Sequence, residues 1–432
     1  MRVLVLREYK SQEFDGVRLS AADRRAVADE RFARRLRVRE LTGGRVEVSA
    51  GPHVGVVSLD GCEIRVEPKY LGTGLDVLRM VHYALGNAPE ALTVPRTFTD
   101  GAPHLRDLVA LMVTTHAEQL LARGVRRDYV RREAPLPAVR GRLLPDRQLL
   151  HHYGQLDRLA CRYDDFDTDI VDNRVCAAAA DLAARTTSSL TVRARARRVA
   201  GRFAQYAPTR PADVRADLGR LTYHRHNEHY RPAHFWSALL LTGGGLDDLF
   251  GAGPLAARAF LIDMNELFEL FATRLLAEAA AGTGTGTGLT VEGQSRHTHV
   301  LWNERTARPY SEVRPDVLIR GGTDALPFVR PVDVKYKLYA TRKVSTADLY
   351  QAFLYAHALA RDPGDAPPTC VLLHPGGVSG DRAAVAVRRW DGSTSARVRP
   401  VPLDLHAALG ALESPRRAEF LSELLAEVTR RG

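Results

Sequence analysis

Cysteine is scarce. The chain has four in 432 residues (Cys62, Cys161, Cys176 and Cys370), scattered without the spacing of a metal site. They read as reduced, buried thiols, which suits a cytoplasmic protein rather than a disulfide-stapled secreted one. Long apolar runs are missing too: none approaches the roughly 20 residues of a membrane span. Residues 1–8 carry charge too early, and too short an apolar core, for a signal peptide. The phosphate loop GxxxxGK[ST] is absent, so the chain does not supply nucleotide hydrolysis itself. Lysine is sparse beside abundant arginine, alanine and glycine, the mark of a base-biased genome. The formal net charge of +10 is therefore compatible with a polyanionic partner without requiring one.

What remains is ordinary for a soluble globular protein: 45% hydrophobic and 26% charged residues, at a length that suits two or three domains. Near the start, Val3 to Leu6 alternates like a strand, and Ser20 with Asp23 opens a helix through Arg35. Two hairpin patterns follow, Leu36 to Leu41 with Arg45 to Val48 about Gly43-Gly44, and Val54 to Leu59 with Glu63 to Val66 about Asp60-Gly61. The middle reads as mostly helical, including His104 to Arg123 and a basic helix over Thr191 to Tyr206. Asp164, Asp165, Asp167 and Asp169 lack the glycine and distal glutamate of a calcium loop and read as a polar turn before a helix. His224, His226, His229 and His234 lack the partners of a zinc site. The tail from Asp404 reads as an amphipathic helix, or a pair broken near Pro415.

The chemistry-bearing stretch is Arg314-Pro315-Asp316-Val317-Leu318-Ile319-Arg320, followed by Val332-Asp333-Val334-Lys335-Tyr336-Lys337. Both pieces read as strands, joined through Gly321, Gly322 and Pro327. The period of two puts Asp333 and Lys335 on one face. Pairing of the two strands brings Asp316 beside Asp333, with Lys335 next to both. Two carboxylates at a sheet rim suit Mg²⁺, which takes one or two carboxylates and leaves room for waters and phosphate oxygens. By itself the triplet also fits a surface strand of alternating charge.

Proline-aspartate followed by Asp-x-Lys resembles the PD-(D/E)xK nuclease superfamily. That resemblance implies a core of helix, strand, strand, strand, helix and strand. The matching pieces are Ala257 to Ala280, Thr298 to Asn303, Asp316 to Arg320, Phe328 to Lys337, Thr346 to Ala360 and Thr369 to His374. Gly282 to Gly288 reads as a flexible connecting loop. The resemblance also implies a glutamate on the first helix, in the Leu-Phe-Glu pattern at Glu269, with Glu266 the other candidate. It further implies that Gln351, on the helix begun by Ser345 and Asp348, reaches the water or the scissile phosphate.

Other segments are similar to the McrC family, the nuclease subunit of McrBC modification-dependent restriction systems. They are Val54 to Gly61 with Ile64 to Tyr70, the helix Leu75 to Leu85, Arg140-Gly141-Arg142, Cys161 to Phe166 with Asp169 and Asn173-Arg174, and Tyr230 to Ala233. The implied fold is an α+β and α/β multidomain chain. A β-rich N-terminal module (1–100) would dock a AAA+ partner. A mainly helical middle region (101–255) precedes a PD-(D/E)xK restriction-endonuclease-like domain (256–432), whose mixed central sheet is flanked by helices. The implied function is Mg²⁺-dependent DNA cleavage, with Mn²⁺ as a substitute, alongside a McrB-like AAA+ GTPase hexamer that the chain stimulates. The implied substrate is DNA with modified cytosine. Asp316, Asp333, the Val334 carbonyl and Glu269 would hold the metal, while Lys335 positions water and Gln351 assists. The alternatives are a stand-alone or repair nuclease of the same superfamily, and a non-catalytic scaffold that activates a AAA+ motor.

Overall fold

The computed structural model describes residues 2–85, 105–154, 157–208, 214–244, 259–282, 288–323, 326–337, 339, 343–362, 366–377 and 384–430. In the N-terminal part, Arg2–Arg7 runs parallel to Cys62–Glu67, which forms the expected hairpin with His53–Ser58. Alternation explains the first strand, since Leu4 and Leu6 are buried while Val3 and Val5 are exposed. A second, three-stranded sheet places Arg45–Ala50 between Ser11–Asp15 and Leu36–Leu41. The helical segment after Ser20 is two helices, Ala21–Ala28 and Glu30–Arg35, and Ser20 and Asp23 form a reciprocal capping box.

The first sheet takes its fourth strand from far along the chain. Ala259–Asp263 pairs antiparallel with His53–Ser58. The helix expected over Ala257 to Ala280 therefore begins only at Met264, and Phe260 belongs to a strand. Phe260, Leu261 and Ile262 form a continuous apolar run, all buried, as in a strand covered on both faces. Gly55 makes the pairing possible: at φ +142°, a Cβ there would lie 2.0 Å from the Phe260 carbonyl oxygen.

The middle is helical as expected, with Leu105–Arg123, Val171–Thr186, Leu190–Phe203 and Arg231–Leu241 packed about Cys176, Phe203, Tyr230 and Trp236. His104, and residues 245–258 around the expected boundary between 255 and 256, lie outside the described residues. The middle also carries a sheet. Asp128–Leu136 and Leu159–Asp167 pair antiparallel along their whole length, with Arg142–Leu143 beside the second strand. The acidic run thus lies mainly on a strand, where Asp164 faces Arg131 and Asp167 pairs with Arg132. Asp167 still serves the following helix approach, accepting from the Thr168 and Asp169 N–H groups.

The C-terminal sheet has six strands in the order Thr290–Gly293, Val317–Thr323, Leu326–Val334, Thr369–Pro375, Thr394–Leu403, Val385–Arg388. It is mixed: the third, fourth and fifth strands run parallel and the others antiparallel. Val317, Ile319, Val332 and Val371 face a core shared with the helix Met264–Gly282 and the terminal helix Arg417–Thr429. Leu318, Cys370 and Leu372 face the helix Thr346–Leu359 on the other side. One expectation fails here. Thr298 to Asn303 is not in this sheet; it lies in a separate two-stranded ribbon, His297–Asn303 with Arg308–Val313. The short strand Thr290–Gly293 takes its place, following a connection whose residues 283–287 lie outside the described set. The tail is a helix pair, Leu405–Leu412 and Arg417–Thr429, parted at Pro415. No described helix is long and apolar enough to cross a membrane.

Candidate active site

The hairpin of Val317–Thr323 and Leu326–Val334 sets the site. Its last registered pair is Val317 with Val332, and past this point the strands part. Asp316 spans the gap: its Oδ2 accepts from the Val334 N–H at 2.7 Å. This bond satisfies a backbone donor that the strand ladder no longer reaches. Period-two alternation sends Val332 and Val334 into the core and turns Asp333 and Lys335 the other way. Lys335 Nζ donates to Asp333 Oδ1 at 2.9 Å.

Asp333 is 0% exposed, and its second oxygen, Oδ2, is buried without an N–H or O–H donor, its carboxyl lying within reach of the Asp316 carboxyl. A buried carboxylate oxygen without a donor is costly unless a cation serves it. Burial, followed by the Asp333 charge, pushes the Asp316 carboxyl up to about 6. Burial also raises Asp333, against the pull of Lys335. For Lys335, burial disfavours the charge, but Asp333 and Asp316 outweigh it and hold the ammonium's pKa above its ordinary value.

Glu269, on the helix Met264–Gly282, lies within electrostatic reach. Burial, followed by the Asp316 charge, raises its pKa. Its Oε1 accepts from Gln294 Nε2 at 2.5 Å. Glu266 sits one turn earlier, where its N–H donates to Asp263. Among the described residues Gln351 hydrogen-bonds to neither carboxylate; its Nε2 donates to the Tyr355 hydroxyl at 2.8 Å, which donates to the Arg314 carbonyl at 2.9 Å.

Gln294 is the residue that sequence reasoning missed. It sits at φ +49°, its N–H donates to the Asp316 carbonyl at 2.8 Å, and its side chain accepts from Arg314 while donating to Glu269. A glutamine after Gly293 gives no signal of this. Among the described residues, no three His, Cys, Asp or Glu side chains gather closely enough to form a metal cluster. That includes the histidine run, where His234 is buried on the Asp172 carbonyl. Mg²⁺ does not need such a cluster, since one or two carboxylates suffice when phosphate and water complete its shell. The donor set of Asp316 and Asp333, with a buried Asp333 oxygen that no N–H or O–H serves, fits that ion. The four cysteines are buried and unpaired, as expected.

A family model described as "McrBC 5-methylcytosine restriction system component" matches residues 48–375. The chain belongs to the McrBC family. The matched span includes Glu269, Asp316, Asp333, Lys335 and Gln351. Among solved structures, the chain is similar to one from Thermococcus gammatolerans described as a half-complex of a tetradecameric assembly of McrB AAA+ hexamers with bound McrC. Identity is 18%, TM-score 0.61, with 97% of this chain and 99% of that chain covered. A second, the cryo-EM structure of the McrBC complex of the same organism, aligns at 20% identity and TM-score 0.44 over 64% of this chain and 88% of that one. No curated protein matches the chain. The likeness over nearly the whole length of both chains is one of fold.

Proposed function

We propose that this McrBC-family chain is the nuclease subunit of its system, hydrolysing DNA phosphodiester bonds with Mg²⁺, or Mn²⁺ in its place. The observation that carries the reading is the buried Asp333 with one oxygen on Lys335 and the other without an N–H or O–H donor, beside Asp316. Asp316 and Asp333 would hold the ion, with the Val334 carbonyl as a further ligand and Glu269 behind them. When bound, Mg²⁺ supplies Lewis acidity toward the phosphoryl oxygens and offsets the charge that builds during in-line attack. Lys335 keeps its proton, because the two carboxylates raise its pKa. It therefore acts as a donor that orients the attacking water and the phosphate, not as the base that takes the proton. Gln294 fixes Glu269, and Tyr355 fixes Gln351 at the rim.

A chain of this family with no phosphate loop needs a partner to supply motion along DNA. The partner we propose is a McrB-like AAA+ GTPase hexamer, docked on the N-terminal part, and the substrate is DNA carrying modified cytosine. The test is Asp333→Asn, which keeps the shape of the side chain. With a McrB-like motor and methylated DNA, the variant keeps complex formation and stimulated GTPase but loses cleavage. Wild-type cleavage by the variant would refute the site. Efficient site-specific cutting by the chain without a motor would point to a stand-alone nuclease instead.

A further inference from the structure

The ribbon His297–Asn303 and Arg308–Val313 takes no part in the catalytic sheet, yet both of its roots are wired into the catalytic rim. One root is Gln294, which bonds Glu269 through its side chain and Asp316 through its backbone. The other is Arg314, two residues before Asp316, whose side chain returns to Gln294 and whose carbonyl accepts from Tyr355. The ribbon therefore rises directly from the site, and its base is anchored. Val300, Leu301 and Val313 pack against the core of Leu318, Val329 and Val398.

Its outer part is different. Trp302 is 52% exposed and Tyr310 75% exposed, and the tip residues 304–308 are all exposed. The register slips by one between Leu301↔Ser311 and Trp302↔Pro309, which leaves Tyr310 as the extra residue of a bulge. Bulges re-aim side chains, here an aromatic one. The turn is shaped by Asn303, which accepts from the Thr306 N–H at 3.0 Å, and by Ala307 at φ +48°. From Arg296 to Arg314 the segment carries four arginines against two glutamates. Among the described residues, Arg305 and Arg308 at the tip form no ion pair. Their charge is available to an outside partner, whereas the arginines of the 128–167 sheet are largely consumed by cross-strand carboxylates.

We propose that this ribbon is a DNA-binding element, seated in a groove of the duplex beside the bond to be cut. Arg305 and Arg308 contact backbone phosphates, and Trp302 and Tyr310 contact sugar or base faces. A two-stranded ribbon has the width that the major groove admits. Arginine is the usual backbone contact, and it fixes register without reading sequence. The proposal rests on the nuclease reading for what the neighbouring site does, but its own evidence is the ribbon's roots, exposure and charge.

The test uses the full-length Asp333→Asn chain, which binds without cutting, and a fluorescent duplex of about 30 base pairs titrated at several salt concentrations. Adding R305S and R308S lowers affinity about tenfold near 0.1 M salt. It also flattens the slope of log K against log salt by about 2, the signature of two lost phosphate contacts. W302A with Y310A lowers affinity while leaving the slope in place. All four side chains are exposed, so a circular-dichroism melt that matches the parent confirms the fold. Unchanged affinity and slope in both pairs would overturn the ribbon proposal. So would a loss of motor binding with DNA affinity intact, which would make the ribbon a protein-docking element. Cleavage by the wild-type chain, assayed with a McrB-like motor and methylated DNA, separates the two readings. If it cuts DNA while the ribbon variants bind normally, only the ribbon proposal falls; if it binds DNA through the ribbon but never cuts, only the nuclease reading falls.

Discussion

Glu8 offers a perturbation whose size follows from the structure. It is 0% exposed, and its Oε1 accepts from the Lys69 N–H at 2.5 Å and from the Tyr336 hydroxyl at 3.0 Å. Its Oε2 is buried without a partner. Tyr336 follows Lys335 in the chain, and its ring lies between Tyr70, 5.0 Å away, and Phe268, 5.7 Å away. The turn after the first strand thus props the residue next to the proposed catalytic lysine. Burial raises the Glu8 carboxyl from 4.5 to about 7, with the Lys69 and Tyr336 bonds only partly offsetting it. The sign follows from linkage. The unfolded carboxyl releases its proton near 4.5 and the folded one near 7, so in between the folded state binds more protons, and rising pH favours unfolding. The stabilisation is full below 4.5 and gone above about 7. Between about pH 5 and about pH 8 the loss amounts to roughly 2 to 3 kcal/mol. Glu8→Gln keeps the acceptor for Lys69 and Tyr336 and removes the charge. The variant should match the wild type near pH 5 and exceed it by roughly 2 kcal/mol near pH 8, read as urea midpoints followed by tryptophan fluorescence. A variant whose stability falls with pH as steeply as the wild type's would refute this account of Glu8.

The same logic applies at the catalytic rim. Because Asp316 titrates at about 6, the metal-free chain should lose Mg²⁺ affinity as pH falls through that value, by about tenfold per unit below it. Calorimetric titration reads this directly, and affinity that stays flat between about pH 5 and about pH 7 would show that Asp316 does not hold the ion. Gln294→Ala removes the donor on Glu269 and the acceptor for Arg314. Cleavage should drop roughly 10- to 100-fold, the usual cost of losing a side chain that orients a ligand. Duplex binding should change little, and if binding and cleavage fall together, Gln294 holds DNA rather than Glu269.

How much of this was legible beforehand depends on the distance over which each feature is encoded. Asp316, Asp333 and Lys335 lie on or just past one end of a single hairpin, where alternation and closeness in sequence suffice to place them side by side, although Gly321, Gly322 and Pro327, expected in the connection, lie within the paired strands. The capping box of Ser20 and the break at Pro415 are equally local. The strand Ala259–Asp263 was hidden because a continuous apolar run beside a true helix has no period to distinguish it. The 128–167 sheet was hidden because many of its cross-strand partners are opposite charges, such as Arg131 with Asp164 and Glu133 with Arg162, and these interrupt the alternation of hydrophobicity that marks a strand. Thr298 to Asn303 has strand composition and is a strand, but composition does not say which sheet a strand joins. The four-residue edge strand Thr290–Gly293, mostly exposed, carried too little apolar pattern to compete for that place.

Gln294 and Glu8 were beyond reach for a further reason. Each matters through a polar contact made across the fold, and in the case of Glu8 its partner Tyr336 is 328 residues away. A buried glutamate in the turn after an N-terminal strand looks, in sequence, like any solvated turn carboxylate. Only assembly reveals that it closes on the segment carrying Lys335. The consequence is mechanical: the turn after the strand Arg2–Arg7 and the loop at Lys69 and Tyr70 share one contact network with Tyr336 and with Phe268, the neighbour of Glu269. If the N-terminal part docks a motor, a shift there does not need a long relay to reach the proposed catalytic rim, because the two regions already meet at the buried Glu8 carboxylate and at the Tyr70–Tyr336 ring contact.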